Sequence, residues 1–222
     1  MVRENLERVR EKIRAAAAAG GRDPRPIRLV AVTKGVAVDN IEEAVASGIE
    51  EIGENRVQEA QQKKIILRQA QDDRVIQWHL IGHLQRNKVK PALGIFDWIQ
   101  SVDRPELVEA IDRAAAELDR PVNLFVEVDV TGISTRTGAS PAEVPSLVQR
   151  IRKLPRLHLK GLMTMAPYAE DPETVRPVFR QVKELAQQCG LEQLSMGMSH
   201  DFEVAIQEGA TMVRIGTAIF GE

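Results

Sequence analysis

A lone cysteine, Cys189, leaves this sequence without a partner for an intramolecular disulfide, a usage that suits a reducing cytosol. Charge of one sign is missing too. Thirty Lys and Arg face 32 Asp and Glu, for a formal net charge of −2, so the chain has no basic footprint for nucleic acid or an anionic membrane. No apolar run approaches the roughly 18–20 residues that a membrane span needs. The alanine-rich stretch within Met1–Ala19 is too weakly apolar for the h-region of a signal peptide. Internal repeats, low-complexity tracts and linker-like breaks are absent as well. The expectation is a soluble cytoplasmic protein, with residues 1–222 as one domain long enough to bury a sizeable core.

What the sequence does have is alternation. A helix over about 2–19 carries Leu6, Val9 and Ile13 at helical spacing and ends at Gly20-Gly21. Strands are expected at Leu29–Val32, Glu51–Gly53, Val75–Ile81, Ile95–Val102, Pro121–Val130, Leu157–Thr164, Leu194–Met196 and Met212–Ile215. Between them lie amphipathic segments with helix-start signals at Asp103-Arg104-Pro105, Ser140-Pro141, Asp171-Pro172-Glu173 and Ser199. The polar segment after His83 reads as helical up to Pro91. Eight strand–helix units predict an α/β fold, a single (β/α)8 TIM barrel. An open doubly wound sheet is the alternative.

The organising stretch is Leu29-Val30-Ala31-Val32-Thr33-Lys34-Gly35. A strand this apolar reads as buried on both faces, and it delivers a lysine at its end. At the mouth of a mostly dry barrel such a lysine can offer a free, nucleophilic amine, as Schiff-base chemistry requires. The alternative is a lysine snorkelling from a strand terminus. Barrel chemistry sits where strands end, and that rim collects Glu54 and Asn55, His79 and His83, and Thr131 through Gly138. It also collects Met163-Thr164-Met165, Met198-Ser199 and Arg214 through Thr217. Gly197-Met198-Ser199 ahead of a helix, and Gly216-Thr217 after the last strand, suit a phosphate held by backbone N–H groups. Singly, each also reads as a plain N-cap or turn. Arg214 lies inside an apolar run, where it is costly unless something satisfies it.

Several runs together resemble one family. They are Val32-Thr33-Lys34, Gly53 through Glu59, Trp78 through Lys88, Gly161 through Met165, and Ser195 through Ser199 with Val213 through Gly216. The pattern is similar to that of the pyridoxal phosphate homeostasis proteins (the YggS/PROSC family), and it covers nearly the whole chain in order. The resemblance implies a fold-type III barrel like the N-terminal domain of alanine racemase, without a C-terminal β-domain. It implies pyridoxal 5′-phosphate (PLP) held as a Schiff base on Lys34, with Ser199, Gly216 and Thr217 on the phosphate. Asn55 would lie beside the ring or its O3′, Arg214 would face the pyridine nitrogen, and Met165 and Met198 would form an apolar wall. A guanidinium there donates to the ring nitrogen and disfavours its protonation, which weakens the ring as an electron sink.

The function so implied is intracellular PLP homeostasis, in which the protein buffers the cofactor or delivers it to apo PLP-dependent enzymes. A single-domain amino-acid racemase and a cofactor-free Schiff-base aldolase are the competing readings. A two-base racemase of the alanine-racemase type needs a tyrosine opposite the lysine, and Tyr168 is the only tyrosine, on a loop where a rim role is simpler. Many relatives carry a lysine after the fifth strand; here the loop reads Thr135-Arg136-Thr137-Gly138, and arginine forms no Schiff base. A closed barrel offers no sheet edge, so a monomer is expected.

Three other motifs are weaker. Ser199-His200-Asp201 spells a triad, but consecutive residues at a helix start diverge too far for a proton relay. His79 and His83 lack a third metal ligand and read as structural, with His79 a neighbour of the cofactor's surroundings. Gln85 through Lys90 is basic without interleaved aromatics, the pattern of a solvated face or phosphate rim.

Overall fold

The structure is a computed structural model that describes residues 1–70 (side chains to residue 67), 75–132 and 136–221. Eight strands close into a parallel barrel in chain order. They are β1 (Arg28–Val32), β2 (Glu51–Glu54), β3 (Gln77–Leu80), β4 (Trp98–Val102), β5 (Val122–Glu127), β6 (Leu157–Met163), β7 (Gln193–Ser195) and β8 (Met212–Ile215). Closure is made by β8 against β1, with Leu29 opposite Val213 and Ala31 opposite Ile215. That pairing excludes the open sheet. The helices are α1 (Val2–Ala19), α2 (Val38–Ala46), α3 (Val57–Ala70), α4 (Val89–Leu93), α5 (Pro105–Glu117), α6 (Val144–Arg152), α7 (Arg176–Gln188), α8 (Phe202–Glu208) and α9 (Thr217–Phe220).

Alternation along each strand separates two cores. Val30, Trp98, Phe125, Met163 and Met212 fill the barrel axis. The intervening residues, such as Ala31, Ile52, Leu80 and Val213, face the helical ring. α1 precedes the barrel and lays Leu6, Val9, Ile13 and Ala17 on α8 and α9, with Asn5 Nδ2 donating to Ile219 O at 2.9 Å. Among the described residues no helix is long and apolar enough to cross a membrane.

Some boundaries shift for local reasons. β3 begins at Gln77, and Val75, which is exposed, lies outside it. Ser140 and Glu143 pair as a capping box, Ser140 donating from N at 2.9 Å and Oγ at 2.6 Å to Glu143 Oε2. They close a turn that contains Pro141, and α6 starts only at Val144. Asp171 does cap, accepting from Glu173 N, but a 3-10 turn over Pro172–Val175 precedes α7. The segment after His83 is a 3-10 turn over Arg86–Lys88 and then α4; Pro91 sits in its first turn, where its missing N–H is not needed.

Candidate functional site

β1 ends at Val32, and Lys34 follows two residues later on an exposed turn. The Lys34 amine makes no hydrogen bond or ion pair among the described residues, whereas both of its neighbours are anchored. Thr33 donates from N to Gly53 O at 3.0 Å and from Oγ1 to Glu54 Oε1 at 2.6 Å. Gly35 N–H donates to Glu59 Oε1 at 2.7 Å, and its φ of +71° is one that glycine adopts without strain. Lys63 ties these anchors together. Its Nζ reaches Glu54 Oε1 at 2.7 Å, Glu59 Oε1 at 2.6 Å and Thr33 O at 2.5 Å. Burial pushes the Glu54 carboxyl above the usual glutamate value, against the pull of Lys63 and Thr33, and among the described residues its Oε2 has no partner. Glu54 therefore lies beneath the rim, on the outer face of the barrel. The cluster was not expected from the sequence; its only local signal is the i,i+4 pair Glu59/Lys63 on α3.

Around the mouth, Asn55 is exposed and its side chain makes no hydrogen bond among the described residues. Gly82 packs on it so closely that a Cβ at position 82 would lie 2.5 Å from Asn55 O. Met165 is 38% exposed, and Met198 is half-buried. Arg136 donates to Met165 O at 2.7 Å and to Ala166 O at 3.2 Å, so it pins the loop after β6. Glu127 accepts from Thr137 Oγ1 at 2.8 Å nearby. Thr135 falls outside the described residues.

The loops after β7 and β8 meet through Ser199. Its Oγ accepts from Gly216 N at 3.3 Å and Ala218 N at 3.2 Å, so it does not cap α8 as expected. Asp201 is the N-cap residue of that helix, and its carboxylate turns back to accept from Met198 N at 2.6 Å. Burial raises the Asp201 carboxyl while that N–H restrains it. Thr217 is the first residue of α9 and is exposed. A Cβ at Gly216 would stand 3.2 Å from Val32 O, which keeps the β8 loop tight against β1. Ala218 joins Ser199, Gly216 and Thr217 here; its signal is its place in the turn after Gly216.

Arg214 lies in the barrel, 3% exposed. Nη1 donates to Ser195 Oγ at 2.7 Å and Nη2 to Thr164 O at 2.8 Å, which supplies the satisfaction its position demands. Burial pulls the guanidinium down to about 10, so it stays charged at neutral pH. The Ser-His-Asp string comes apart: His200 Nε2 bonds Ala169 O at 2.8 Å, away from both neighbours. His79 is buried in the barrel, while His83 sits on the rim 4.0 Å from Asp103 Oδ2. Among the described residues no group of three or more His, Cys, Asp or Glu could hold a metal.

The profile of the alanine racemase N-terminal domain family matches residues 3–222. A pyridoxal phosphate homeostasis protein of Aquifex aeolicus is 42% identical, over 99% of this chain and 97% of its own. One of Escherichia coli is 38% identical, over 99% and 96%. PipY of Synechococcus elongatus, solved with PLP bound, superposes with a TM-score of 0.86 at 36% identity over the whole of both chains. Alanine racemase of Clostridium difficile shares the fold at 18% identity and a TM-score of 0.74, with 56% of its chain covered.

Proposed function

This chain belongs to the family of pyridoxal phosphate homeostasis proteins, and from that premise we propose that it binds PLP in the barrel mouth and serves to hold and hand on the cofactor. The observation that carries this reading is the donor set around that mouth. The Lys34 amine has no protein partner among the described residues. The N–H groups of Gly216 and Ala218 converge on the Ser199 hydroxyl oxygen, which leaves the hydroxyl's own proton to donate. The Arg214 guanidinium lies buried below the rim, and among the described residues two acceptors are assigned to its five N–H groups. A mouth of donors fits a ligand rich in acceptors, and PLP presents a phosphate, an aldehyde and a ring nitrogen.

When bound, PLP supplies an aldehyde that an amine can capture and a pyridine ring that draws electrons once its nitrogen is protonated. Lys34 Nζ would take the aldehyde carbon. Ser199, Gly216, Thr217 and Ala218 would hold the phosphate by hydroxyl and backbone N–H groups. Asn55 would serve the ring hydroxyl, and Met165 and Met198 would cover the ring and exclude water. Arg214 would donate to the ring nitrogen and keep a proton from it, because a charged guanidinium has no lone pair to receive a hydrogen bond. That arrangement favours holding the cofactor over driving carbanion chemistry, so we read the protein as a carrier without robust turnover of amino acids. On the same reading residues 1–222 act as one PLP-binding unit, a cytoplasmic monomer with apo PLP-dependent enzymes as recipients.

The test is the visible spectrum of the purified protein beside Lys34→Ala. A band in wild type that PLP restores after dialysis and that Lys34→Ala lacks supports the reading. A colourless wild type that stays colourless with added PLP overturns it. Rapid loss of α-deuterium from amino acids, abolished in Lys34→Ala, would replace the carrier with an enzyme.

A further inference from the structure

Below the mouth the barrel interior carries a continuous polar line. Arg214 Nη1 donates to Ser195 Oγ at 2.7 Å, and Ser195 Oγ donates to Gln100 Oε1 at 2.6 Å. Gln100 Nε2 lies 2.9 Å from His79 Nδ1. His79 Nε2 lies 3.1 Å from Glu51 Oε2, a close contact that falls short of a well-aligned hydrogen bond. Arg28 Nε then donates to Glu51 Oε1 at 2.6 Å, with its guanidinium 4.3 Å above the Trp98 ring. Six strands contribute one side chain each, and His79, Gln100 and Ser195 have no exposed surface. The line runs from Arg214, near the mouth, to the opposite pole, where Arg28 and Glu51 line a surface pocket of about 350 Å3.

Its direction follows from the groups themselves. A guanidinium only donates, so Ser195 Oγ accepts and its own proton goes to the Gln100 carbonyl. The Gln100 amide then gives to His79 Nδ1, and the imidazole proton is left on Nε2, facing Glu51. The other tautomer would set a ring lone pair against a carboxylate. Each member thus polarises the next in one sense. Desolvating such a series costs free energy that an apolar barrel core would not.

We infer that His79, Gln100 and Ser195 are positioning residues for Arg214, fixing which of its N–H groups remain to face the mouth and coupling it to the Arg28–Glu51 pair at the far pole. The inference rests on the PLP reading above for what Arg214 meets. The charges that face His79 are Glu51 on β2, Arg28 on β1 and Asp97 just before β4; those facing Arg214 are Glu127 on β5 and Asp201 after β7. Burial lowers the imidazole from its ordinary value, against the pull of Glu51, which keeps it neutral and its tautomer defined.

Two measurements test this, and the first needs no PLP. Nitrogen-15 NMR of the ligand-free protein should show His79 neutral, with its proton on Nε2, at neutral pH and above. A proton on Nδ1, or titration near the ordinary histidine value, overturns the inference whatever the protein binds. The second titrates the visible band of the PLP-loaded protein with pH in wild type, Glu51→Gln and Ser195→Ala. Both variants should weaken PLP by up to about tenfold and displace the midpoint of the band. If Glu51→Gln does not fold, Ser195→Ala decides. An unmoved midpoint, with or without a loss of affinity, overturns the coupling and leaves the line a packing device. Failure of wild type to bind PLP would instead remove the functional reading and leave the NMR result standing.

Discussion

Replacing Lys63 by methionine removes one ammonium from the cluster that anchors Lys34 and keeps most of the volume of its stem. The Lys63 side chain is 8% exposed and Glu54 is fully buried, so the loss is that of one partner from a buried ion pair. Such losses run to about 3–5 kcal/mol. Two features place this one at the lower end. Glu59 is 28% exposed and can recover its hydration. Glu54 already binds its proton more readily than usual, so it can neutralise itself instead of standing as an unpaired charge. The expected destabilisation is about 3 kcal/mol at neutral pH, or about 6–12 °C in Tm for a chain of this size.

The loss should depend on pH, and its sign can be worked out. Without Lys63 the folded-state pKa of Glu54 rises further above its unfolded value, so the folded state binds more protons over that interval. Stability then falls as pH rises through it. Urea unfolding of wild type and Lys63→Met from about pH 4.5 to 8 should therefore show a gap that widens upward in pH until Glu54 is ionised in both. A gap below about 1 kcal/mol and flat in pH would match an exposed ion pair and would refute the idea that this cluster holds Lys34 in place.

The remaining predictions concern other parts of the fold. Gly197 has φ +95°, and a Cβ there would lie 2.7 Å from Ala205 Cβ; Gly197→Ala should cost about 1–3 kcal/mol and weaken PLP by displacing Ser199, which calorimetry and a PLP titration would detect. Arg180 and Arg176 hold the Glu208 carboxyl below the ordinary glutamate range. The stability this gives is present above that range and is lost as pH falls through the depressed value, so Glu208→Gln should flatten the acid limb of a urea-midpoint profile between about pH 5 and 3. Burial raises the Cys189 thiol, and a disulfide reagent at pH 7.5 should modify it far more slowly in the native protein than in urea.

How much of this was legible in the sequence depended on whether the decisive contact is local. All eight strands could be read, since each is a short apolar run between turn signals. Lys34 and Arg214 also stood out, as charges set against apolar neighbours. Barrel closure was expected from the count of eight strand–helix units, but the register that makes it, Leu29 against Val213, could not be read, because it spans nearly the whole chain. Ser199 looked like an N-cap because a serine ahead of a helix has that signature. Its hydroxyl instead serves a turn in the next loop, while Asp201 bends back to Met198. Lys63 resembled any exposed i,i+4 partner, and only the fold puts Glu54 and the Thr33 carbonyl within its reach. His79 was read as structural, with no means of seeing that Gln100 and Ser195 connect it to Arg214.

The arrangement of charge also bears on whether a bound cofactor would be held or used. Racemisation on the alanine-racemase plan asks for a second proton carrier facing the lysine across the ring. Tyr168, the one tyrosine, is 81% exposed and lies 5.1 Å from the His200 ring at a tilt of 30°. His200 is itself tied to the backbone of the same loop at Ala169, so the tyrosine is committed to the rim. On the proposed reading, Arg214 would supply a donor at the ring nitrogen, where electron withdrawal would need a proton. Its own proton is secured by Ser195 and Thr164 on one side and by the nearby charges of Glu127 and Asp201. Lys34, meanwhile, is exposed to solvent, where an incoming amine could compete with it. On that reading the groups around the mouth would bind the cofactor, the deepest one would restrain electron flow into the ring, and the amine that would hold the aldehyde is within reach of outside acceptors. Those three features together suit retention and release better than turnover.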